Sequence, residues 1–353
     1  MRTDVWQLLY CHDKLLSRRR FRVKRYLMFP ARILFFVLVC CTTVLAQPSA
    51  QLDKLRAEGY AALFNLDYED ARRNFRKMLE VAPDSPVGPQ SLAASLWIQQ
   101  LNDSWQLKST LYSDKASTNN KEKTDQAQVD EFKRWTRRAK QLAQARLRKD
   151  PRDVEALYFL GAAEGLEAAY SAAVERKYMP ALRAAEDAVE HHRKVLELAP
   201  KFFDAELTIG LQDYVIGSLP LPVKMLAGTF GVRGSKKRGL TALETVAHDG
   251  HWGRDIARVL LVDLYKREKR WDDAIATTRD LSDRYPRNYL FKLQLADAMT
   301  LKLAAERKSR LPVDASEERA VFAIYDALLR DKTFASQTNL IQFRRNETTR
   351  LLK

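Results

Sequence analysis

The sequence predicts an all-α protein built from stacked pairs of helices. Of its 353 residues, 46% are hydrophobic and 30% are charged, which is enough apolar material to bury a core and too much for a disordered chain. Glycine and proline number only 12 each, while Ala, Leu, Glu, Lys and Arg, which favour helices, predominate. No long segment alternates apolar and polar residues with the period of two that is typical of β-strands.

Residues 1–46 are predicted to be a signal peptide. A basic stretch around Arg18 to Arg20 precedes the apolar run ILFFVLVCCTTVLA, which ends at Ala46. This run has fourteen residues, fewer than the ~18–20 that cross a bilayer. Small residues at the −3 and −1 positions predict cleavage after Ala46. We therefore expect export to the periplasm or secretion; the alternative is an uncleaved signal that anchors the chain in the inner membrane.

This leader also contains much of the positive charge and all of the cysteine. It holds nine basic and two acidic residues, so the net charge falls from +15 for the whole chain to +8 for residues 47–353. A balance this mild does not predict a nucleic-acid partner. Cys11, Cys40 and Cys41 all lie before residue 47, which excludes disulfides, thiolate nucleophiles and cysteine-ligated metals from the mature chain. Met28 is an alternative start, which would make residues 1–27 an overextended reading frame.

One unit recurs along the rest of the chain. In residues 57–86, Gly59 allows a close helix contact, a turn follows, and Ala71 and Phe75 share one face of a second helix that Pro83 stops. Residues 266–288 repeat this unit, with Trp271 at the turn. A small residue also follows a proline by ten positions at four places: Pro83 and Ala93, Pro151 and Gly161, Pro200 and Gly210, and Pro286 and Ala296. Small residues let one helix lie directly on the next, so we expect close contacts at Gly161 and Gly210.

These spacings resemble the tetratricopeptide repeat, a helix-turn-helix unit. The resemblance implies about six repeats within residues 47–332, stacked into a right-handed superhelical α-solenoid with inserts. Residues 333–353 would then form a capping helix or a tail. The arrangement of the inserts is similar to that of secreted bacterial tetratricopeptide proteins of unassigned function.

Three segments depart from the plain repeat. Residues 104–130 are polar and predict a loop. The interval from Gly161 to Pro200 contains extra residues rich in Ala and Glu, which predict longer helices rather than a loop. The third segment, residues 217–239, is the apolar insert GSLPLPVKMLAGTFGVRGSKKRG.

The apolar insert is predicted to contain a short helix, since Pro222 and Gly231 are suited to its start and end. We expect this helix to pack on its own solenoid, with Met225, Leu226 and Phe230 buried, because large exposed apolar patches are unusual on soluble monomers. The alternative is a segment that docks on a protein partner or on a membrane surface. The docking residues would be Val223, Met225, Leu226, Phe230, Arg233, Lys236, Lys237 and Arg238.

The mature sequence contains no motif for catalysis. The patterns G-x-S-x-G and H-E-x-x-H, the dinucleotide-binding glycine loop and the phosphate-binding loop are all absent. His192 falls at an inward position of the repeat and is expected to be packed. The acidic DYED and WDD segments fall at repeat turns, where they favour the helix that follows. We predict a protein that is not an enzyme and that uses no metal and no cofactor; an enzyme with an unrecognised helical site is the remote alternative.

The resemblance also implies a concave groove, lined by the first helix of each repeat, that binds proteins or peptides. The groove positions of the family correspond here to Arg56, Tyr60, Phe64, Tyr158, Leu207, Leu211, Tyr214, Lys266 and Arg267. This set is more apolar than charged, which favours an apolar or extended ligand over a peptide carboxylate. The alternative is that the inserts fill the groove and the tyrosines belong to the core. The predicted function is thus an exported protein-interaction scaffold, with a membrane-peripheral adaptor acting through residues 217–239 as the alternative.

Overall fold

The computed structural model describes residues 49–103, 125–229 and 233–353, and the predicted signal peptide lies outside them. Within these ranges the regular elements are α-helices and short 3-10 helices, without strands. The chain divides into two compact units, which are residues 1–54 and residues 55–353. Of the first unit only residues 49–54 are described, and they are helical. All of the packing given below lies within the second unit.

The helices succeed one another along the chain with short connections. The first six are α1 (49–64), α2 (Tyr68–Val81), α3 (Val87–Asp103), α4 (Gln126–Lys149), α5 (Val154–Ala173) and α6 (Tyr178–Leu198). A 3-10 turn, Phe203–Ala205, precedes the next group, which comprises α7 (Glu206–Ser218), α8 (Leu221–Thr229), α9 (Lys236–Asp249), α10 (Arg254–Arg267) and α11 (Trp271–Arg284). The last helices are α12 (Tyr289–Lys308), α13 (Ala315–Arg330) and, after the 3-10 turn Lys332–Gln337, α14 (Thr338–Leu351).

Consecutive helices pack on one another from α2 to α7, and the succession continues from α7 through α9 to α13. Helix α1 pairs with α2, since a Cβ on Gly59 would lie within 3 Å of the Phe75 ring. The described helices thus form six pairs: α1–α2, α3–α4, α5–α6, α7–α9, α10–α11 and α12–α13. The predicted fold class, an all-α stack of helix pairs, is confirmed. The segment after the last pair ends in α14, which packs on α12 and α13.

Several helices begin at a residue whose side chain caps the first turn. The carboxylates of Asp153 and Asp314 accept hydrogen bonds from the backbone N–H of Ala156 and Ser316, at 2.9 and 2.7 Å. Acidic residues also occupy the first turn of α2 and of α11, as the DYED and WDD segments predict. The N-cap carboxylates accept hydrogen bonds from free N–H groups at the helix start. The carboxylates in the first turn are attracted to the positive end of the helix dipole. Local side chains thus stabilise the starts of these helices.

In four of the six pairs, the first helix ends in a backbone conformation that the sequence does not predict. Within three residues of the ends of α1, α5, α10 and α12, one residue has a positive φ: Leu66 (66°), Arg176 (55°), Lys269 (59°) and Arg310 (56°). At Lys269 the N–H of the next residue, Arg270, bonds to the carbonyl of Tyr265 at 2.8 Å, which is the Schellman arrangement. Glycine is the residue that favours this conformation, and none of the four positions carries it.

Two of the predicted departures from the repeat can be judged. The extra residues between Gly161 and Pro200 do lengthen the helices, since α5 has 20 residues and α6 has 21. The predicted loop over 104–130 is wrong at its end, because α4 begins at Gln126. The cause is Asp125, whose carboxylate accepts the N–H of Ala127 at 2.9 Å and so starts the helix early. Residues 104–124 lie outside the described ranges.

The apolar insert forms the short helix α8, as predicted, but the expected burial of Met225 is wrong, since this residue is 68% exposed. The chain leaves and re-enters the solenoid at one point. A Cβ on Gly217 would lie 2.4 Å from the backbone nitrogen of Lys236, and a Cβ on Gly234 would lie 2.5 Å from Ile216. The side chain of Leu226 and all of Phe230 lie outside what the structure describes.

Two glycines of α5 provide a test of the helix contacts. A Cβ on Gly161 would lie 2.8 Å from Cδ2 of His192 and 3.0 Å from the carbonyl oxygen of Ala188 on α6, as the expected close contact requires, whereas a Cβ on Gly165 would meet nothing nearer than 3.9 Å. We expect Gly161→Ala to lower the melting temperature, because overpacking costs ~1–3 kcal/mol. Gly165→Ala should leave it unchanged or raise it, since Ala is favoured over Gly in a helix by up to ~1 kcal/mol. Equal melting temperatures for the two variants would contradict this packing.

Candidate functional site: a groove lined by the first helices

A cavity of about 1880 Å³ lies along the first helices of the pairs. All six of them contribute to its lining, namely α1, α3, α5, α7, α10 and α12. Among the described second helices only α6 contributes a face, together with Tyr68 at the start of α2. The volume exceeds the ~300–1,000 Å³ that small-molecule pockets usually have. The cavity therefore has the dimensions of a groove for a larger ligand.

The buried end of the groove, here called the floor, is formed by Arg56, Tyr158, His192 and Asp204. The Nε2 of His192 donates to the carbonyl oxygen of Tyr158 at 3.0 Å, and the two rings stack with centroids 5.2 Å apart. The sequence-based expectation that His192 is packed is thus confirmed. Burial lowers the pKa of His192 to about 4 and raises the pKa of the Tyr158 hydroxyl well above its ordinary range. Both side chains are therefore neutral at pH 7.

Asp204 connects the floor to a distant turn. It lies in the 3-10 turn before α7, and its carboxylate accepts the backbone N–H groups of His251 at 3.0 Å, Trp252 at 2.8 Å and Gly253 at 2.6 Å. These three bonds hold the turn between α9 and α10 in place. As a result, the Trp252 ring lies against Tyr158, with centroids 5.3 Å apart.

Arg56 of α1 is 6% exposed and lies among aromatic rings. Its guanidinium carbon is 4.9 Å from the centroid of Tyr60, 5.0 Å from that of Trp252 and 5.9 Å from that of Phe159. The buried Nε of Arg56 has no hydrogen-bond acceptor among the described residues. Cation–π contacts of this kind stabilise a desolvated cation by about 2 kcal/mol.

The opposite end of the groove, here called the rim, exposes large apolar side chains. Tyr178 is 70% exposed and Val215 is 52% exposed, and Met179 and Leu182 are exposed beside them. All four line the cavity, three from α6 and one from α7. Large side chains of this type are usually withdrawn from water. The rim is therefore an apolar surface at the mouth of an apolar groove.

The structure places six of the nine predicted groove residues on the cavity: Arg56, Tyr60, Phe64, Tyr158, Leu207 and Leu211. Tyr214, Lys266 and Arg267 do not line it. Tyr214 is buried and donates to Glu268 at 2.8 Å, and Lys266 is buried and pairs with Asp263 at 2.7 Å. Arg267 lies on α10 away from the lining.

The basic residues of the insert are divided between the solenoid and solvent. Lys236 pairs with Glu268 at 2.7 Å, and both contacts between the Arg238 guanidinium and Asp213 measure 3.0 Å. Arg233 and Lys237 are exposed, and Arg233 lines the groove. The side chain of Val223 is outside what the structure describes. Half of the positive charge expected for docking is thus bound to carboxylates of the solenoid.

Several lining residues were not predicted from the sequence. Those on α3 and α12, helices where no groove position was assigned, include Gln90, Trp97, Ile98, Leu290 and Phe291, and those on α10 include Val259 and Leu260. Trp97 and Ile98 follow the small residue Ala93 on α3, so extending the repeat positions to α3 would have found them. The rim residues of α6 carry no such signal, because a second helix is not expected to face the groove.

Among the described residues no group of three His, Cys, Asp or Glu side chains is placed to hold a metal ion. The Nδ1 of His191 donates to the carboxylate of Glu164 at 2.8 Å, which raises the pKa of His191 and ties α6 to α5. In the described ranges no helix is both long and apolar enough to cross a bilayer.

Comparisons with known proteins add a likeness of fold. No family model and no curated protein matches the sequence. Among solved structures, the thermophilic TPR protein TTC0263 of Thermus thermophilus is 15% identical and has a TM-score of 0.39, covering 71% of this chain and 98% of its own. A monomeric mutant of IFIT1 with Gppp-AAAA is 10% identical and has a TM-score of 0.38, covering 85% of this chain and 65% of its own. Likenesses at this level do not identify a ligand for the groove.

Because His192 is buried and neutral, we expect the stability of the protein to fall at acidic pH. Because its pKa in the folded protein is about 4 and a histidine in an unfolded chain has a pKa of ~6.5, the unfolded state binds the proton more tightly. Stability is therefore lost as the pH falls below ~6.5. We expect the free energy of unfolding of the wild type to fall by about 2 kcal/mol more than that of His192→Gln between pH 7 and pH 5.

Urea unfolding at the two pH values measures this difference. Gln keeps a donor for the Tyr158 carbonyl but does not titrate, so the other ionisable groups largely cancel between the two proteins. Parallel losses in wild type and variant would show that His192 is not held neutral by burial.

Proposed function

We propose that the protein is a non-catalytic scaffold that binds an apolar segment of another polypeptide in the groove. The observation that carries this proposal is the cavity of about 1880 Å³ to which all six first helices contribute. Its rim presents Tyr178, Met179, Leu182 and Val215 to solvent. An apolar side chain that enters from solvent gains ~1.5–3 kcal/mol on full burial, so the groove favours ligands that bring several.

The chemistry of the lining favours a helical segment. The side chains along α5 and α7 are mainly Ala, Leu, Val and Ile, with few hydrogen-bonding groups. An extended peptide would leave backbone N–H and C=O groups without partners there, at ~1–3 kcal/mol for each buried group. An α-helix satisfies these groups internally and can present an apolar face to the groove. The partner we propose is therefore an amphipathic helix.

A membrane-peripheral role for the insert is the second candidate function. It is favoured by the exposure of Leu221 and Met225 on α8, which is typical of interfacial helices. Against it stand the ion pairs that bind Lys236 and Arg238 to the solenoid. Co-sedimentation with anionic liposomes separates the two roles, since a scaffold that acts only through the groove should remain in the supernatant.

We further propose that the scaffold acts outside the cytoplasm. The support is the basic leader followed by an apolar run that ends in Val44-Leu45-Ala46. N-terminal sequencing of the protein from its native host should then find Gln47 as the first residue. A protein that retains Met1 or Met28 in a membrane fraction would instead support the signal-anchored alternative.

Substitutions at the rim test the binding role. The double variant Leu182→Ser, Val215→Ser should retain its melting temperature, because exposed positions usually change stability by less than ~0.5 kcal/mol. We expect it to lose the partners that the wild type co-purifies from an envelope extract, as measured by quantitative mass spectrometry. The matched control is Leu311→Ser, Phe343→Ser, which alters two equally exposed side chains outside the groove. Partners lost by both variants, or by neither, would contradict binding at the rim.

A further inference from the structure

The floor of the groove contains a buried cation that no carboxylate of the described chain neutralises. Arg56 is 6% exposed and lines the cavity, and its cation is in contact with aromatic rings. Among the residues that the structure describes, no Asp or Glu forms an ion pair with it, and its Nε has no acceptor. Burying an unpaired charge costs several kcal/mol. The rings offset part of this cost, and an anionic ligand would offset more.

The lining of the groove includes further polar atoms without partners in the described chain, one of them on Tyr60 beside Arg56. The Tyr60 hydroxyl and the Gln90 side-chain oxygen are buried, line the cavity and make no hydrogen bond in the described chain. Buried polar atoms of this kind are uncommon in native proteins. The carboxylate of Asp204 also lies at the floor, but it is occupied by the three backbone N–H groups of the turn at Trp252. At the floor, the Nε of Arg56 and the Nδ1 of His192 are thus left without partners in the described chain, and of the two only Arg56 carries a charge.

The rest of the groove is long and aliphatic. On α5 the lining runs from Tyr158 at the floor to Ala172 near the rim, and at ~1.5 Å per residue these fourteen steps span about 21 Å. The residues between are Ala162, Gly165, Leu166, Ala168 and Ala169. This length exceeds the ~15 Å that one acyl chain occupies in half of a ~30 Å hydrocarbon layer. The groove is thus long enough to cover a whole acyl chain.

We propose that the groove binds a long-chain carboxylate, with the carboxylate at Arg56 and the aliphatic chain along α5, α6 and α7. The planar guanidinium suits a carboxylate, which it can bind through two parallel hydrogen bonds. An acyl chain brings no backbone groups that need partners, so an aliphatic wall accepts it without polar cost. This ligand goes beyond the proposed function, because it requires the groove but no polypeptide partner.

The distribution of charge selects a single anionic group. Arg56 is the one buried cation among the described lining residues, while the other lining arginines, Arg183, Arg193 and Arg233, are exposed. A phosphate dianion at the floor would leave a second negative charge desolvated. A neutral head group would leave Arg56 without a counter-charge. A carboxylate matches the single positive charge of Arg56, because the negative charge of Asp204 is already held by three backbone N–H groups.

Isothermal titration with matched sixteen-carbon probes tests the proposal. Palmitate should bind the full-length protein, while hexadecanol and hexadecyltrimethylammonium, which carry a neutral and a cationic head group on the same chain length, should bind at least tenfold more weakly. Inorganic phosphate and acetate alone should not bind measurably. Equal affinity for palmitate and hexadecanol, or no binding of palmitate, would overturn the proposal.

Variants of Arg56 assign the head group to its place. Arg56→Gln should weaken palmitate at least tenfold without changing the affinity for hexadecanol, and Arg56→Lys should recover part of the loss. Arg279→Gln is the matched control, because Arg279 is exposed and lies outside the groove, and it should bind palmitate as the wild type does. Circular dichroism establishes that each variant is folded, and unchanged palmitate affinity in folded Arg56→Gln would refute the assignment.

The outcome is independent of the proposed scaffold role. Loss of partners in the rim variant Leu182→Ser, Val215→Ser tests the scaffold, whereas the head-group series tests the carboxylate. Partner capture without palmitate binding would overturn this inference and leave the scaffold standing. If palmitate binds and the rim variant captures the same partners as the wild type, the scaffold role would be overturned and the carboxylate inference would stand.

Discussion

The groove depends on the position of helix α1, which contacts helices far beyond its own pair. At its end, the side-chain amide of Asn288 donates to the carbonyl of Phe64 at 2.7 Å. Asn65 accepts the N–H of Arg287, 222 residues later in the chain, and Arg287 also pairs with Asp67. The rings of Phe64 and Tyr285 lie 5.1 Å apart. The first helix pair is thereby fastened to the α11–α12 connection.

These contacts change the energetics of the stack. In an open solenoid each repeat contacts only its neighbours, so stability is close to a sum of local terms. Here the bonds of Asn65 and Asn288 join residues 222 and 224 positions apart in the chain, so they add contacts beyond those between neighbouring pairs. We infer that α1 makes residues 55–353 unfold more cooperatively than a linear array would.

The same helix supplies both the walls and the cation of the groove. Tyr60 and Phe64 occupy successive turns of α1 along the cavity, and Arg56 lies one turn earlier at the floor. Because α1 is fixed at its end by Asn288 and at its side by Phe75, the guanidinium has little freedom to turn away from Trp252. The fold therefore fixes the position of the Arg56 guanidinium. The proposed carboxylate ligand would bind it without a rearrangement of α1.

The sequence was most informative where a contact is local or periodic. The ten-residue spacing correctly predicts that Gly161 and Gly210 lie against other helices, since a small residue is required at each repeat of the contact. The position of Trp252 could not be predicted in this way. It follows from Asp204, which lies 48 residues earlier and holds the turn through backbone N–H groups, which leave no pattern in the side chains. Tertiary bonds of this type are absent from any local signal.

The position of Tyr214 outside the lining of the cavity has a related explanation. On α7 the lining residues Thr208, Leu211 and Val215 share one face. Tyr214 lies at the edge of that face, where its backbone approaches Gly239 of α9 so closely that a Cβ there would be 2.5 Å away. Transferring the family's groove positions assumes that every repeat is rotated alike. The 3-10 turn before α7 and the close contact with α9 break that assumption for Tyr214.

Two buried arginines show how this chain can treat a desolvated cation. Arg344, 3% exposed, pairs with the fully buried Asp297 of α12, and the hydroxyl of Tyr325 donates to the same aspartate. Arg56, with nearly the same burial, is surrounded by rings and lacks such a partner in the described chain. The rings stabilise the Arg56 cation only in part, because burying an unpaired charge costs several kcal/mol. The proposed carboxylate would supply this missing partner, since its charge is opposite in sign to that of Arg56.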